Sequence, residues 1–489
     1  MPTWWAVGWL ATPAIAQEPS LSLEQYTLDN GLRVVLVPDR SAPLVAVDVW
    51  YHVGSRDEEP GRTGFAHLFE HLMFQGSPSQ PDDYIAPIEQ AGGTVNGSTN
   101  ADRTNYYEVV PREALPVALF LEADRMGGLL EVLDQAKLDN QREVVRNERR
   151  QRIENVPYGD ARILIAQNLY PEGHGYHHPT IGSHADLEAA DVDDVSAFFR
   201  RWYVPNNAVL TVVGDFDPAQ ARAWIQADFG PIPRGPEAVS IAPPPPRLPY
   251  DVTVRQYRPV PLRKVWLAWH APAAGTQADA ELDLLASVLG NGRDGRLVRE
   301  LVERRGIAQD LTVSQQSASW SSQLVIAATA APGHTTAELV AGIDEVLGAV
   351  LGGAAAPTAD ELGAVTAQFE LGYWSSLEPV LGRAEGVQRC VRLTGGPDCL
   401  VADLDRYRVA TPASVVATGR AWLEAPRVEL HLLPEKIPLP SPGPPRAVPR
   451  RGTKPAPVEP GPTPAGPTPA GPTPDGPTPD GSTAAGGNP

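Results

Sequence analysis

The chain has 489 residues, with Lys+Arg 40 against Asp+Glu 59 and a formal net charge of −19. That length accommodates two or more domains, each burying its own core. The acidic balance excludes nucleic-acid binding as the main role, because phosphate contacts need basic surface. No apolar run approaches the roughly 20 residues a membrane-spanning helix requires.

The chain opens on a short apolar core, Trp4 to Ala11, and Ala14-Ile15-Ala16 before Gln17 fits a small-x-small cleavage site. Residues 1–16 are therefore expected to be an export signal, although a basic leader is missing; an apolar N-terminal strand is the competing reading. From Glu24 to Val37 the pattern is strand, Asp29-Asn30-Gly31 turn, strand. Leu44 to Val53 is a further β-rich run, within which His52 is expected to face away from any site. Gly54 to Gly61 is a polar loop.

Next comes His67-Leu68-Phe69-Glu70-His71, flanked by Leu72, Met73 and Phe74 and stopped by Gly76. The apolar spacing suits a helix. Residues four apart share a helix face, so His67 and His71 can present two imidazoles to one metal ion. Glu70 beside them can act as a base toward a metal-activated water. The order H-x-x-E-H is the inverted zinc-peptidase signature. The same five residues also arise as two helical histidines flanking a satisfied acid, so the rest of the chain has to decide.

Asp82 to Ala91 reads as helix. Thr94 to Asn100 and Thr104 to Val110 read as a hairpin turning near Asp102, and Glu113–Leu133 and Asp139–Asn155 as helices. Pro157 to Ser183, rich in Gly and Pro, reads as a loop. It carries His174, His177 and His178, with His184 just beyond, the rival metal cluster. Asp191–Trp202 and Ala219–Phe229 read as helices around a buried-type strand, Ala208 to Asp215. Residues 233–250, with Pro243 to Pro246, read as a semi-rigid linker. A second α+β region follows: strands at Lys264–Trp269 and Leu324–Thr329, and helices at Ala278–Leu289, Gly295–Arg305, Ala337–Leu351 and Ala359–Ser376. It contains no H-x-x-E-H. Cys390 and Cys399 match no common zinc spacing and, in an exported chain, form a candidate disulfide; two buried thiols are the alternative. From Pro438 onward a five-residue repeat, Gly461-Pro462-Thr463-Pro464-Ala465 and its successors to Asp480, reads as a disordered, partly polyproline spacer.

Three segments together resemble the M16 (pitrilysin/insulysin, mitochondrial-processing-peptidase-like) zinc metallopeptidases: His67–His71, Gly92-Gly93-Thr94-Val95-Asn96-Gly97-Ser98-Thr99, and Glu143-Val144-Val145-Arg146-Asn147-Glu148-Arg149-Arg150. The resemblance runs from about residue 24 to 435. It implies an α+β fold of two homologous domains, each an antiparallel sheet with helices on one face, forming a half-clamshell: a zinc-bearing domain at 17–232 and a second at 251–437. It implies one zinc ion per chain held by His67, His71 and Glu148, with Glu70 as general base. It also implies a peptide substrate laid along the strand of Asn96, Gly97, Ser98 and Thr99, with Gly97 in place of the more usual Ala. A second acid found in some members is replaced here by Gln141, with Glu143 nearby. The Arg and Tyr that bind the substrate carbonyl in many members are replaced by Val302 and Gln309. The resemblance therefore implies dimerisation with a companion subunit of the same fold that supplies them, or a homodimer, in the periplasm or outside the cell. The competing reading is a non-catalytic structural or partner subunit, and a weaker one is an exported protein that works through its Pro-rich tail.

Overall fold

The computed structural model describes residues 22–435. The expected signal at 1–16 and the Pro-rich tail at 438–489 lie outside the described residues.

The first half runs β1 (Glu24–Thr27), β2 (Arg33–Pro38), β3 (Leu44–Tyr51), α1 (Phe65–Leu72), α2 (Ala86–Gln90), β4 (Thr94–Thr99), β5 (Thr104–Pro111), α3 (Leu115–Val132), α4 (Gln135–Arg149), α5 (Ala161–Leu169), α6 (His184–Ala189), α7 (Val192–Trp202), β6 (Ala208–Gly214) and α8 (Pro218–Phe229). Its sheet has the order β1-β2-β6-β3-β5-β4, antiparallel except for the β2–β6 pair. The second half runs β7 (Val252–Arg258), β8 (Lys264–Ala271), α9 (Gln277–Gly290), β9 (Ala308–Gln316), β10 (Ser322–Ala330), α10 (Thr336–Leu351), α11 (Ala359–Ser376), α12 (Val380–Thr394), α13 (Leu400–Arg408), α14 (Pro412–Leu423) and β11 (Val428–Pro434). Its sheet order is β7-β11-β8-β10-β9, with one parallel pair, β7–β11. No helix of the described residues is long and apolar enough to cross a membrane.

Alternation along the strands sorts the two faces of each sheet. In the first sheet Val34, Leu36, Val45, Val47, Val49, Leu210 and Val212 enter one core with α1, α3, α7 and α8. Val35, Val37, Ala46, Val209 and Val213 point the other way. They meet Val380, Ala384, Val387 and Val391 of α12, a helix of the second half. The loan is returned: Trp266, Ala268, Val325, Ala327 and Leu430 of the second sheet pack on Ala161, Ile165 and Leu169 of α5. Each half thus keeps its own core helices on one face of its sheet, as expected, and the second face is covered by a helix from the other half. Fully buried Gln388 of α12 pins the exchange, donating to the carbonyls of Asp48 (2.9 Å) and Val209 (2.8 Å).

Several local expectations need correction. The segment expected to be a loop from Pro157 to Ser183 contains α5, whose buried Ala161, Ile165 and Leu169 recur every fourth residue. The expected helix at Asp82–Ala91 is only Ala86–Gln90. The helix expected over Asp139–Asn155 turns π-helical at Arg150–Glu154, and that at Gly295–Arg305 is a π-helical segment, Val298–Arg304. The Pro-rich stretch after α8 carries no helix or strand before β7. It is nonetheless tied to the first half, by Ser240 Oγ to Asp57 Oδ1 (2.6 Å) and Gly235 N to Asn206 Oδ1 (2.8 Å). Cys390 and Cys399 are joined in a disulfide between the end of α12 and the start of α13.

Candidate metal centre

α1 exists because Phe65, Ala66, Leu68, Phe69 and Leu72 form one apolar stripe, all buried. That leaves His67, Glu70 and His71 on the opposite, half-buried face. The helix begins at Gly64, whose φ of +95° favours glycine; a Cβ there would also meet the Ile181 carbonyl at 2.8 Å. Its first N–H groups are satisfied by Glu58, whose Oε2 accepts from Gly64 N and Oε1 from Ala66 N, both at 2.8 Å. Burial drives the Glu58 carboxyl well above its ordinary range, against the pull of those two amides. In the sequence Glu58 belongs to the polar loop Gly54 to Gly61. An acid ahead of the first turn was the signal for this cap.

Glu148 reaches the site from α4. Leu138, Gln141 and Val145 are the buried residues of that helix, and Glu148 continues their stripe three residues on. Its Oε2 lies 3.3 Å from His71 Nε2 and 3.7 Å from His67 Nε2. One ligand atom from each of the three residues falls within 4.8 Å of the others, and no other such group of His, Cys, Asp or Glu occurs among the described residues. Atoms about 2.0–2.1 Å from a tetrahedral centre stand about 3.3 Å apart, so the donor set fits zinc. Glu148 Oε2 is buried and accepts no hydrogen bond, which a bound cation would remedy. Burial lowers the His67 pKa against the raising pull of Glu148 and Glu70, favouring the neutral imidazole that ligates metal. For Glu148, burial acts upward, but His71, His67 and Arg152 outweigh it and hold the carboxyl below its usual value.

Arg152, not singled out in the sequence, pairs with the other oxygen, Oε1, of Glu148. The π-helical turn after α4 delivers it, and the four-residue spacing was the available clue. Gln141 is buried on the site-side stripe, whereas Glu143 turns outward to Arg146 and does not join the centre.

β4, the edge strand, pairs only with β5 among the described residues. Gly97 sits against Glu70: a Cβ there would stand 3.3 Å from Glu70 Cγ and 3.1 Å from Tyr106 Cδ1. Asn96 Oδ1 accepts from Gly97 N (2.8 Å), and Ser98 Oγ bonds Asn105 Oδ1 (2.7 Å). The Thr99 hydroxyl is buried without a partner.

Known proteins align with this arrangement. The family model described as "Insulinase (Peptidase family M16)" matches residues 33–163, and "Peptidase M16 inactive domain" matches residues 189–368. Zinc protease PqqE of Helicobacter pylori is 32% identical over 291 residues, 58% of this chain and 65% of that protein. The chain belongs to the M16 peptidase family.

An uncharacterized zinc protease of Streptomyces coelicolor is 29% identical over 59% of this M16 chain and 63% of its own length. The chain thus covers just under two thirds of these two relatives. A crystal structure of a Helicobacter pylori protease superposes with a TM-score of 0.78 at 26% identity, covering 85% of this chain and all of that one. The periplasmic protease PqqL of Escherichia coli superposes with a TM-score of 0.70 at 18% identity over 48% of its length, a likeness of fold.

The rival histidines of this M16 chain disperse. His177 Nδ1 lies 2.9 Å from the Tyr170 carbonyl oxygen, and His184 Nε2 lies 2.8 Å from Glu154 Oε1. His178 Nδ1 stands 3.6 Å from Glu58, and buried His174 accepts from Tyr176 N (3.0 Å). Val302 packs against the second core, and Gln309 is exposed on β9.

Proposed function

We propose that this M16 chain is a zinc-dependent endopeptidase. The convergence of His67, His71 and Glu148 within 4.8 Å, beside a free sheet edge, carries that reading. Those three residues would hold one zinc ion, which when bound supplies a Lewis acid for the scissile carbonyl and brings the pKa of a water to about 7. Glu70 takes the proton of the attacking water and returns it to the leaving amine. Arg152 keeps Glu148 turned toward the imidazoles. The β4 edge supplies main-chain hydrogen bonds for an extended substrate, with Asn96, Gly97, Ser98 and Thr99 beneath it. Because Val302 and Gln309 replace the family's Arg and Tyr, the reading includes a companion M16 subunit that completes the oxyanion contacts, in an exported compartment like that of PqqL.

The test is a Glu70→Gln variant. It is expected to retain stoichiometric zinc by atomic absorption while cleavage of an unfolded polypeptide falls about 10²–10⁴-fold. Chelation should abolish wild-type cleavage and added zinc restore it. A variant that still cleaves at the wild-type rate removes Glu70 from its role.

A further inference from the structure

Beyond Asn100, at the end of the β4 edge, a cavity of about 750 Å³ opens between the two halves. Its walls are apolar and aromatic, with Tyr158 from the first half and Trp266 from the second. Its charges are three arginines, Arg152, Arg162 and Arg392, against one acid, Asp102. That acid is fully engaged: Arg56, Arg392, Tyr176 and the Ser319 amide all donate to it. Arg162 is exposed and has no hydrogen-bond or ion-pair partner among the described residues. Arg152 commits one N–H to Glu148, and its side chain is 75% exposed. Such an excess of cations stands out in a chain of net charge −19. On the same wall Gln323 donates to Gln316 (2.8 Å) and leaves its own Oε1 buried and unpartnered, an acceptor available to a main-chain N–H.

We propose that this cavity is a substrate subsite for a carboxylate, either an aspartate or glutamate side chain or a free C-terminus, held by Arg162 and Arg152. A guanidinium offers paired donors matched to a carboxylate, and the aromatic walls beside it can receive the apolar part of the peptide. A peptide laid on β4 enters the cavity as it passes Asn100, so selectivity is set jointly by both halves. The inference rests on the peptidase reading, and its test separates the two.

Zinc-loaded Glu70→Gln protein is titrated with short fluorescein-labelled peptides that differ only in one central Glu, Gln or Lys, each with a free and an amidated C-terminus. The Glu peptide, or the free C-terminus, should bind about tenfold more tightly than its neutral counterpart. A Glu preference that survives amidation assigns a side-chain carboxylate; a preference lost on amidation assigns the terminal one. Arg162→Ala should erase the preference, and Arg162→Glu should turn it toward Lys. Equal binding of charged and neutral peptides, or a preference that persists in Arg162→Ala, overturns the proposal. Wild-type cleavage of the same peptides is read separately. Charge-selective binding without any cleavage, even with the co-purified companion subunit present, would break the peptidase reading and leave the subsite standing, whereas cleavage without selectivity would break only the subsite.

Discussion

The two halves share one plan and differ in a few side chains. Strand order β2-β6-β3-β5-β4 in the first reappears as β7-β11-β8-β10-β9 in the second, and α1 and α9 hold the same place in that order. Where α1 carries His67 and His71 four apart, α9 carries Asp279 and Asp283 four apart. On α9 those carboxylates are absorbed by the fold. Asp279 accepts from Gly275 N (2.9 Å), Ser317 Oγ (2.7 Å) and Gln315 Nε2 (2.7 Å), and Asp283 accepts from the Tyr407 hydroxyl (2.8 Å). At the α1 face, His67 Nδ1 and the Oε2 of Glu148, brought in by α4, are left without hydrogen bonds. The lesson is that a fold unit supplies a helix face at a sheet edge, and the satisfaction of that face decides whether it binds anything.

If the second half is more than a repeat, its effect on the first must cross the seam, and Asp102 is one place where it crosses. This buried turn residue of the β4–β5 hairpin accepts from Arg56 Nη1 (2.5 Å) and Tyr176 OH (2.5 Å) of its own half, and from Ser319 N (2.9 Å) and Arg392 Nη1 (3.1 Å) of the other. Asp102→Ala removes the carboxylate that Arg56 and Arg392 share, leaving Arg56 only Asp57 at 3.6 Å, and is expected to cost about 3–5 kcal/mol. Urea denaturation measures it, and a loss below 1 kcal/mol would mean that the halves are held by their other contacts, the exchanged helices foremost.

How much of this was legible in the sequence follows from the range of each signal. The candidate metal centre is readable because His67 and His71 are four apart and Glu148 lies in a segment that resembles the family's. Arg152 and Glu58 act through contacts that a loop or a π-helical turn creates, and they went unnoticed. The strands buried on both faces, such as Ala208–Gly214, read correctly as buried runs. Nothing local, however, says that the cover comes from α12 of the other half. Pro157 and the glycines around it outweighed the Ala161, Ile165, Leu169 spacing, so α5 was lost. Edge strand β9 alternates too many polar residues, among them Thr312, Ser314 and Gln316, to stand out.

The seam is also braced covalently on one side only. The Cys390–Cys399 bridge fastens the end of α12, the helix lent to the first sheet, to α13. Closing a loop of nine residues' separation is expected to add about 2–3 kcal/mol. The double Cys390→Ala, Cys399→Ala variant should lose that much in urea, with hydrogen exchange rising first in α12. Faster exchange confined to the second sheet would show that the bridge does not serve the seam.

Arg152 sharpens the contrast at the chemical end. Its pairing with Glu148 Oε1 has no counterpart to perform in the second half, which holds no such donor set among the described residues. Arg152→Ala is expected to weaken zinc affinity about 10–100-fold in competition with a chromophoric chelator, with little change in Tm. Unchanged affinity would reduce the pair to a surface contact.

The smallest expected effect tests whether the α9 face is purely structural. Burial raises the Asp283 carboxyl to about 7. Tyr407 and Arg406 oppose that rise, and Asp279 and Asp403 reinforce it. Its folded pKa therefore lies above the unfolded value, so the folded state binds more protons between the two. The stability it contributes is complete below about pH 4 and is lost as pH rises toward 7. Asp102 has the opposite sign: burial is outweighed by Arg56, Tyr176 and Arg392, its pKa is lowered, and its contribution is lost on acidification. Asp283→Asn keeps an acceptor for Tyr407 but cannot ionise. Its stability relative to wild type should rise by roughly 2 kcal/mol between pH 5 and pH 7, because the wild type alone must ionise a half-buried carboxyl over that range. Denaturation curves at both pH values read the difference directly. A variant whose stability tracks the wild type at both would show that Asp283 is already ionised at pH 5, and that the α9 face carries charge available to a partner.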